Sequence, residues 1–330
     1  MQHGAANAGW WDLWYQVVLG LFRQIGALGR ELRGSRGRYL VIAVPMLWLL
    51  AFFLVPLLVV LKISLSQRTG GAPPYSDLVA FGGDGLVQIT LSFAGYARLL
   101  TDPIYIESYI NSLQFASVST LACLVLGYPI AYGIARASPG WRLFLLMLVV
   151  LPFWTSSLLR TYALTGLLRD NGLVNQVLLA LGLVDAPVRL IDTPFAVYLG
   201  ITYNYLPFMI LPLVANLMRL DFTLLQAAAD LGARPWRAFL SVTLPLSLPG
   251  ILAGSLLVLI PAVGEYVIPA LLGGPDSLSI GQRIWEDFFN ARHYPLAAAV
   301  AMAMLVLIVV PMLLFESVQE RRARREAERT

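Results

Sequence analysis

The sequence predicts an all-α membrane protein with six transmembrane helices. Three observations carry that expectation. Hydrophobic residues make up 58% of the 330 positions and charged residues only 13%, against about 25% charged in an ordinary soluble domain. The mean hydropathy is +0.73. Runs of about 20 mostly apolar residues, the length that crosses a bilayer as a helix, recur six times along the chain.

The first 37 residues form a tail ahead of these runs. Trp11, Trp14, Val18, Phe22, Ile25 and Leu32 recur at helical spacing, with Asp12, Gln16, Arg23 and Arg30 opposite. Such a segment lies flat on membrane lipid and anchors there. It has no small-residue cleavage site after a proper apolar core, so it does not read as a signal peptide. The transmembrane domain is expected over 38–317, with spans near 38–65, 108–136, 142–168, 194–218, 246–272 and 295–317. A basic tail, 318–330, follows. Prolines fall inside the spans, among them Pro45, Pro129, Pro152, Pro207, Pro261 and Pro311; bundled membrane helices tolerate them because neighbours re-satisfy the freed carbonyls.

Arginines set the orientation. Arg23 to Arg38 precede the first span, Arg136 and Arg142 flank the loop between the second and third, Arg219, Arg234 and Arg237 lie between the fourth and fifth, and Arg321 to Arg329 follow the sixth. The positive-inside rule makes that side the cytoplasm and places both termini there. The opposite loops carry more acids than arginines, including Asp77, Asp102, Asp192, Glu286 and Asp287. An acidic outer face fits a cationic solute, and ordinary solvated loops read the same way. The net charge of +4 does not indicate nucleic acid, because the basic residues sit beside apolar spans rather than on one solvated face.

Counting removes several chemistries. Lys62 is the single lysine and no Gly-rich run precedes it, so no phosphate-cradling loop can form. The chain therefore does not hydrolyse ATP on its own. With one cysteine, Cys123, and two histidines, His3 and His293, neither a disulfide framework nor a Cys/His zinc site is possible. No Gly-x-Ser-x-Gly elbow occurs. Neither a cofactor nor a metal is expected, and the chain does not read as an enzyme.

The one polar island, the loop 219–245, is built as helix, turn, helix. Phe222, Leu225 and Ala228 or Ala229 form an apolar stripe, Gly232 permits the tight turn, and Pro235 opens a second helix. There Trp236, Phe239, Leu240 and Thr243 follow helical spacing, Pro245 ends the helix, and Pro249-Gly250 marks the start of the next span. By pattern alone the island is a docking element or a surface helix resting on the bilayer.

The island resembles the coupling-loop signature of binding-protein-dependent ABC importer permeases: Glu-Ala-Ala, three residues, Gly, nine residues, Ile, one residue, Leu-Pro. Gln226, Ala227, Ala228, Gly232, Leu244 and Pro245 stand at the required spacing. Gln226 replaces the usual acid and Val242 the usual isoleucine. The likeness extends over roughly 39–316. Ala122-Cys-Leu-Val-Leu-Gly-Tyr-Pro129, Leu151-Pro-Phe-Trp-Thr-Ser-Ser157 with Arg160, and Tyr205-Leu-Pro-Phe-Met209 resemble polyamine permeases. Pro261-Ala-Val-Gly-Glu-Tyr-Val-Ile-Pro269, with Leu272-Gly-Gly-Pro-Asp276 and Gly281, is most similar to their putrescine-type member.

The resemblance implies the type I ABC importer permease fold in a bacterial inner membrane. It also implies a homologous second permease subunit, two copies of a cytoplasmic ATPase and a periplasmic solute-binding protein. The loop, through Trp236 and Phe239 among others, would insert into a groove on one ATPase and rock the helices between inward-open and outward-open. Glu265, a carboxylate within a span, is expected to meet a solute ammonium, since intramembrane acids normally face a cavity or partner. Trp154, Tyr162, Tyr203 and Tyr266 offer cation–π faces, or serve helix packing and the interfacial belt. Arg160 braces a helix contact or pairs with an acid. The competing readings are a self-contained ion-coupled transporter or channel, which would need an inverted repeat or a chain of buried acids, and a membrane enzyme.

Overall fold

A computed structural model of the chain describes residues 36–71, 73–81, 87–221 and 223–327. The tail expected over 1–37 thus lies outside the described residues as far as position 35. The chain divides into two units, residues 1–61 and 62–330.

The first span begins in the first unit. Helix α1, Arg36–Leu49, passes through a π-helical turn, Leu50–Leu54, into α2, Val55–Ser64. The residues Ile42–Ser64 run as one helix of 23 residues, about 35 Å at 1.5 Å per residue. That exceeds the roughly 30 Å hydrocarbon core. Leu47, Trp48, Phe52 and Phe53 are exposed along it, as lipid-facing side chains are.

In the second unit a hairpin of β1, Val79–Phe81, and β2, Val87–Ile89, pairs Val79 with Ile89 and Phe81 with Val87. After α3, Ala94–Thr101, the long α4 runs Pro103–Arg136. It starts earlier than the apolar content of the sequence implies, because Asp102 accepts the Ile104 N–H at 3.2 Å and Pro103 fills the first helical position. Helix α5, Pro139–Val150, tightens into a 3₁₀ turn, Leu151–Trp154. Helices α6, Ser157–Leu168, and α7, Leu173–Ala180, follow. The arms Pro139–Trp154 and Ser157–Ala180 are bent by 90°, so the expected span 142–168 is not one straight helix. Pro152 lies in the 3₁₀ turn, and Thr155 closes it by donating its hydroxyl to the Pro152 carbonyl at 2.8 Å.

Helix α8, Pro194–Leu217, is capped by Thr193. The helices α9, Thr223–Asp230, and α10, Pro235–Ala238, form the polar island. A second π-helical turn, Phe239–Thr243, joins α10 to α11, Leu244–Val263. Past α11 come α12, Val267–Leu272, α13, Ile280–Trp285, a third π-helical turn, Glu286–Asn290, and α14, Tyr294–Ala327.

Pro245 does not end the second island helix as expected, since Pro235–Val263 is continuous. The reason is local. A helical proline ring clashes with the carbonyl four residues back; for Pro56 that carbonyl belongs to Phe52 and for Pro245 to Ser241. Both lie inside π-helical turns, whose wider loop moves the carbonyl aside. Each turn lets the helix pass its proline.

The core is a three-helix seam of α4, α8 and α11. One apolar cluster joins Cys123, Tyr128 and Ala131 to Met209, Leu213 and Val258. A second joins Phe115, Val197 and Ile201 to Leu168, Ala262 and Ile268. Close approach of α11 to α8 requires glycine at two places. A Cβ on Gly250 would stand 2.7 Å from Asn216 Cβ, and one on Gly254 would stand 2.8 Å from Met209 Sδ and 3.0 Å from its carbonyl.

Among the described residues four helices are long and apolar enough to cross a membrane: Ile42–Ser64, Pro103–Arg136, Pro194–Leu217 and Pro235–Val263. The bent pair makes a fifth if counted as one span. The expected sixth, 295–317, falls on α14, where the apolar stretch is the shorter Tyr294–Val310.

Candidate functional site

The two candidate regions sit at opposite ends of the continuous helix Pro235–Val263. At its start, α9 ends in a left-handed turn at Gly232, with φ +82°. The Gly232 N–H donates to Ala229 at 2.8 Å and the Ala233 N–H to Ala228 at 3.0 Å, the two bonds of a Schellman cap. At the other end of α9 the Thr223 N–H donates to Asp221 at 2.9 Å, and this backbone bond holds the Asp221 carboxyl below its usual range.

The island presents more than it buries. Gln226, Ala227, Gly232, Trp236 and Pro245 are exposed, and Ala228 and Leu244 are half-buried. Leu231 is 88% exposed, an apolar side chain that the described residues leave uncovered. The expected stripe of Trp236, Phe239, Leu240 and Thr243 splits instead into two faces. Trp236 and Leu240 face outward, whereas Thr243 is buried and Phe239 packs edge-on against Tyr128 and Tyr132, at centroid distances of 5.6 and 6.2 Å. Trp236 and Leu240 are four residues apart, as are Phe239 and Thr243, so each pair holds one side of the stripe.

At the far end the helix stops at Val263, and Gly264, Glu265 and Tyr266 bridge to α12. Glu265 Oε2 accepts the Tyr205 hydroxyl at 2.6 Å, and Oε1 accepts the N–H groups of Val267 at 3.1 Å and Ile268 at 3.4 Å. The Ser279 hydroxyl donates to the Glu265 carbonyl at 3.0 Å. Glu265 thereby caps α12 while standing half-buried. Tyr266 stacks on Trp285, with centroids 4.8 Å apart and planes 16° apart.

The other residues expected along a solute path are dispersed. Trp154 is 85% exposed, and Tyr162 and Tyr203 are about half exposed. Arg160 is buried and its guanidinium lies 5.4 Å from the Phe153 ring centre. No acid pairs with it, and its Nε and Nη1 lack a hydrogen-bond partner among the described residues. What links Arg160 toward Glu265 is a line of rings that sequence reasoning missed. Phe153 meets Phe208 at 4.9 Å and Phe208 meets Tyr205 at 5.9 Å. The signal was available in the Tyr205-Leu-Pro-Phe-Met motif, whose tyrosine and phenylalanine are one helical turn apart.

Five of the ten acids expected on the outer face, which also counted Asp84, Glu107, Asp170, Asp185 and Asp276, form local pairs among the described residues. Asp77 meets Lys62, Asp102 meets Arg98 and Asp192 meets Arg189. Arg283 bridges Glu286 and Asp287, and Asp287 also accepts the Tyr105 hydroxyl at 2.8 Å.

The sequence profile of the family described as "Binding-protein-dependent transport system inner membrane component" matches residues 35–325. The chain is 40% identical over 269 residues to the spermidine/putrescine transport system permease protein PotB of Haemophilus influenzae, covering 82% of this chain and 89% of that one. It is 40% identical over 268 residues to the protein of the same name from Escherichia coli, covering 81% and 92%. Among solved structures, a chain of a bacterial ABC transporter involved in the import of the acidic polysaccharide alginate superimposes with a TM-score of 0.63 at 20% identity, covering 91% of this chain and 99% of that one. A second structure, of the bacterial alginate transporter with a periplasmic protein bound to alginate pentasaccharide, gives 0.65 at 19% identity.

Proposed function

Because the chain belongs to the family of binding-protein-dependent transport system inner membrane components, a multi-pass inner-membrane family with the type I ABC importer permease fold, we propose that it is the subunit that passes a polyamine through an ATP-driven importer. As a permease component it is not an enzyme. The solute is read from relatives that carry the spermidine/putrescine name over most of their length.

One observation carries the mechanism. Pro235–Val263 is an unbroken helix of 29 residues, about 43 Å long, with an exposed docking surface at its first turn and the Glu265 break just past its last. A push on Trp236 is carried along one helix to its end, two residues short of Glu265, while a push on Gln226 or the Gly232 turn enters that helix through the capped turn at 231–234. Rigid-body rocking of such helices about a central site gives alternating access. The reading assigns the docking end to a cytoplasmic ABC ATPase present in two copies. A homologous second permease and a periplasmic solute-binding protein complete the complex. It assigns six crossings, both termini to the cytoplasm, coupling to 219–245, and the solute path to Glu265 and Tyr266 with Trp154, Arg160, Tyr162 and Tyr203 around it.

Affinity purification from the native membrane tests this. An ATP-binding chain should co-purify, and the complex in proteoliposomes should accumulate labelled putrescine or spermidine when ATP and the binding protein are supplied. Recovery of the chain alone, with accumulation driven by an ion gradient and indifferent to ATP, would replace the importer by a secondary transporter.

A further inference from the structure

We propose that the Tyr205 hydroxyl is a built-in competitor of the solute at Glu265: a primary alkylammonium binds Glu265 Oε2 by displacing Tyr205, and Tyr205 expels it by returning. The proposal rests on the cationic-solute reading above and adds the residue that controls occupancy.

The two carboxylate oxygens are not equivalent. Oε1 is held by two backbone N–H groups of α12, which fix the carboxylate on its own segment. Oε2 has one donor, and that donor comes from a different helix, 60 residues away in sequence on α8. Replacing the Oε2 donor leaves the anchor at Oε1 intact.

The charge is also uncompensated. Every donor to Glu265 is neutral, and none of the salt bridges among the described residues includes it. Five acids of the outer loops differ, since Asp77, Asp102, Asp192, Glu286 and Asp287 each meet a lysine or arginine. An ionised carboxylate away from bulk water gains more from a cation than from a neutral hydroxyl. An ammonium N–H can donate to Oε2 in place of the phenol O–H and brings the missing charge.

Tyr205 also stands where its release has consequences. It borders both apolar clusters of the core, and its bond to Glu265 ties α8 to the break between α11 and α12. Exchange of the hydroxyl for an ammonium cuts that tie. In this proposal the hydroxyl and the ammonium compete for Oε2, so solute occupancy is linked to release of the helix tie. The neighbouring Phe208 ring gives the solute's methylene chain an apolar surface beside the carboxylate.

Labelling of Glu265 by dicyclohexylcarbodiimide, followed by mass spectrometry on the purified transporter complex, tests this with putrescine as the probe. Wild-type labelling should slow as putrescine is added. Tyr205→Phe, which keeps the ring and removes the hydroxyl, should label several-fold faster and be protected at a putrescine concentration about tenfold lower, because the competitor is gone. Glu265→Gln should not label at this position. Equal half-protective concentrations in wild type and Tyr205→Phe would overturn the proposal by making the tyrosine purely structural. Absence of protection in the wild type would overturn it independently of any variant. Putrescine uptake by the same preparation separates the cases: uptake without protection sinks the competitor and leaves the permease reading standing, whereas loss of both sinks the two together.

Discussion

At its first turn the Pro235–Val263 helix leaves Trp236 and Leu240 uncovered, whereas just past its last turn both carboxylate oxygens and the carbonyl of Glu265 accept hydrogen bonds from this same chain. The exposed end keeps apolar surface with only Arg237 over the Trp236 ring, and under the proposed function a partner protein covers it. The half-buried end already has each Glu265 oxygen hydrogen-bonded, and in the proposal above a ligand there exchanges with a group that the fold supplies. One end is incomplete by design of the surface, the other complete until something competes.

That contrast is broken most severely at Gly232. Valine at φ +82° is a strained β-branched residue in the left-handed region, and it undoes the cap that turns α9 away from α10. Solute-stimulated ATP hydrolysis by the complex should fall at least about tenfold, on the order of 1.4 kcal/mol or more in coupling, while membrane insertion is unchanged. Undiminished transport would remove the coupling role from the loop.

Glu265→Gln probes the other end. The amide oxygen can still accept from α12, so the fold should persist, but the charge is lost. Uptake should fall about tenfold with recovery of the assembled complex unchanged; equal uptake would take Glu265 off the solute path.

A finer comparison sets Phe239 against Trp236, three residues apart and on opposite sides of the split. Phe239→Ala opens a gap between Tyr128 and Tyr132 and should cost about 2 kcal/mol, less than a fully buried phenylalanine because this one is half-buried. Thermal unfolding in detergent reads that loss. Trp236→Ala should leave the melting temperature within about 1 °C, as for a surface change, and lower ATPase stimulation several-fold. The reverse pattern would mean that the exposed and packed faces have been exchanged.

The smallest effect concerns pH at the island. Asp221 is held below the usual carboxylate range by the Thr223 N–H. Its contribution is therefore fully present above that range and is lost only as pH falls through the lowered value. Hydrogen exchange of Thr223–Asp230 should be insensitive to this group between pH 7 and pH 5, allowing for intrinsic rates, and loosen only in stronger acid. Loosening near neutral pH would show that the cap is not held by the ionised carboxyl.

How much of this was legible beforehand varied with the kind of signal. Apolar runs located the helices, because membrane helices need length and hydrophobicity and little else. Gly232 and Pro235 announced the turn through their own backbone preferences. The continuity past Pro245 was hidden, since a proline reads as a stop unless the π-helical turn ahead of it is foreseen, and that turn depends on hydrogen bonding rather than composition. The 90° bend at 155–156 was marked only by Pro152 and the short polar run Thr155-Ser-Ser157, which a membrane helix can also carry without bending. Glu265 stood out as a charge in a span, but its partner Tyr205 did not, because an aromatic in a membrane helix has many bland uses and only a tertiary contact distinguishes this one.

The glycines of α11 bear on how force moves through the subunit. With Gly250 and Gly254 seated against Asn216 and Met209 of α8, the two backbones mesh like the teeth of a rack at close centres, and axial slippage of one past the other would drive side chains into main chain. If the proposed function holds, a thrust delivered at the loop 219–245 would be converted into tilt of the paired helices as a beam rather than into a piston stroke, and the lever arm, not the stroke length, would set how far the Glu265 break swings.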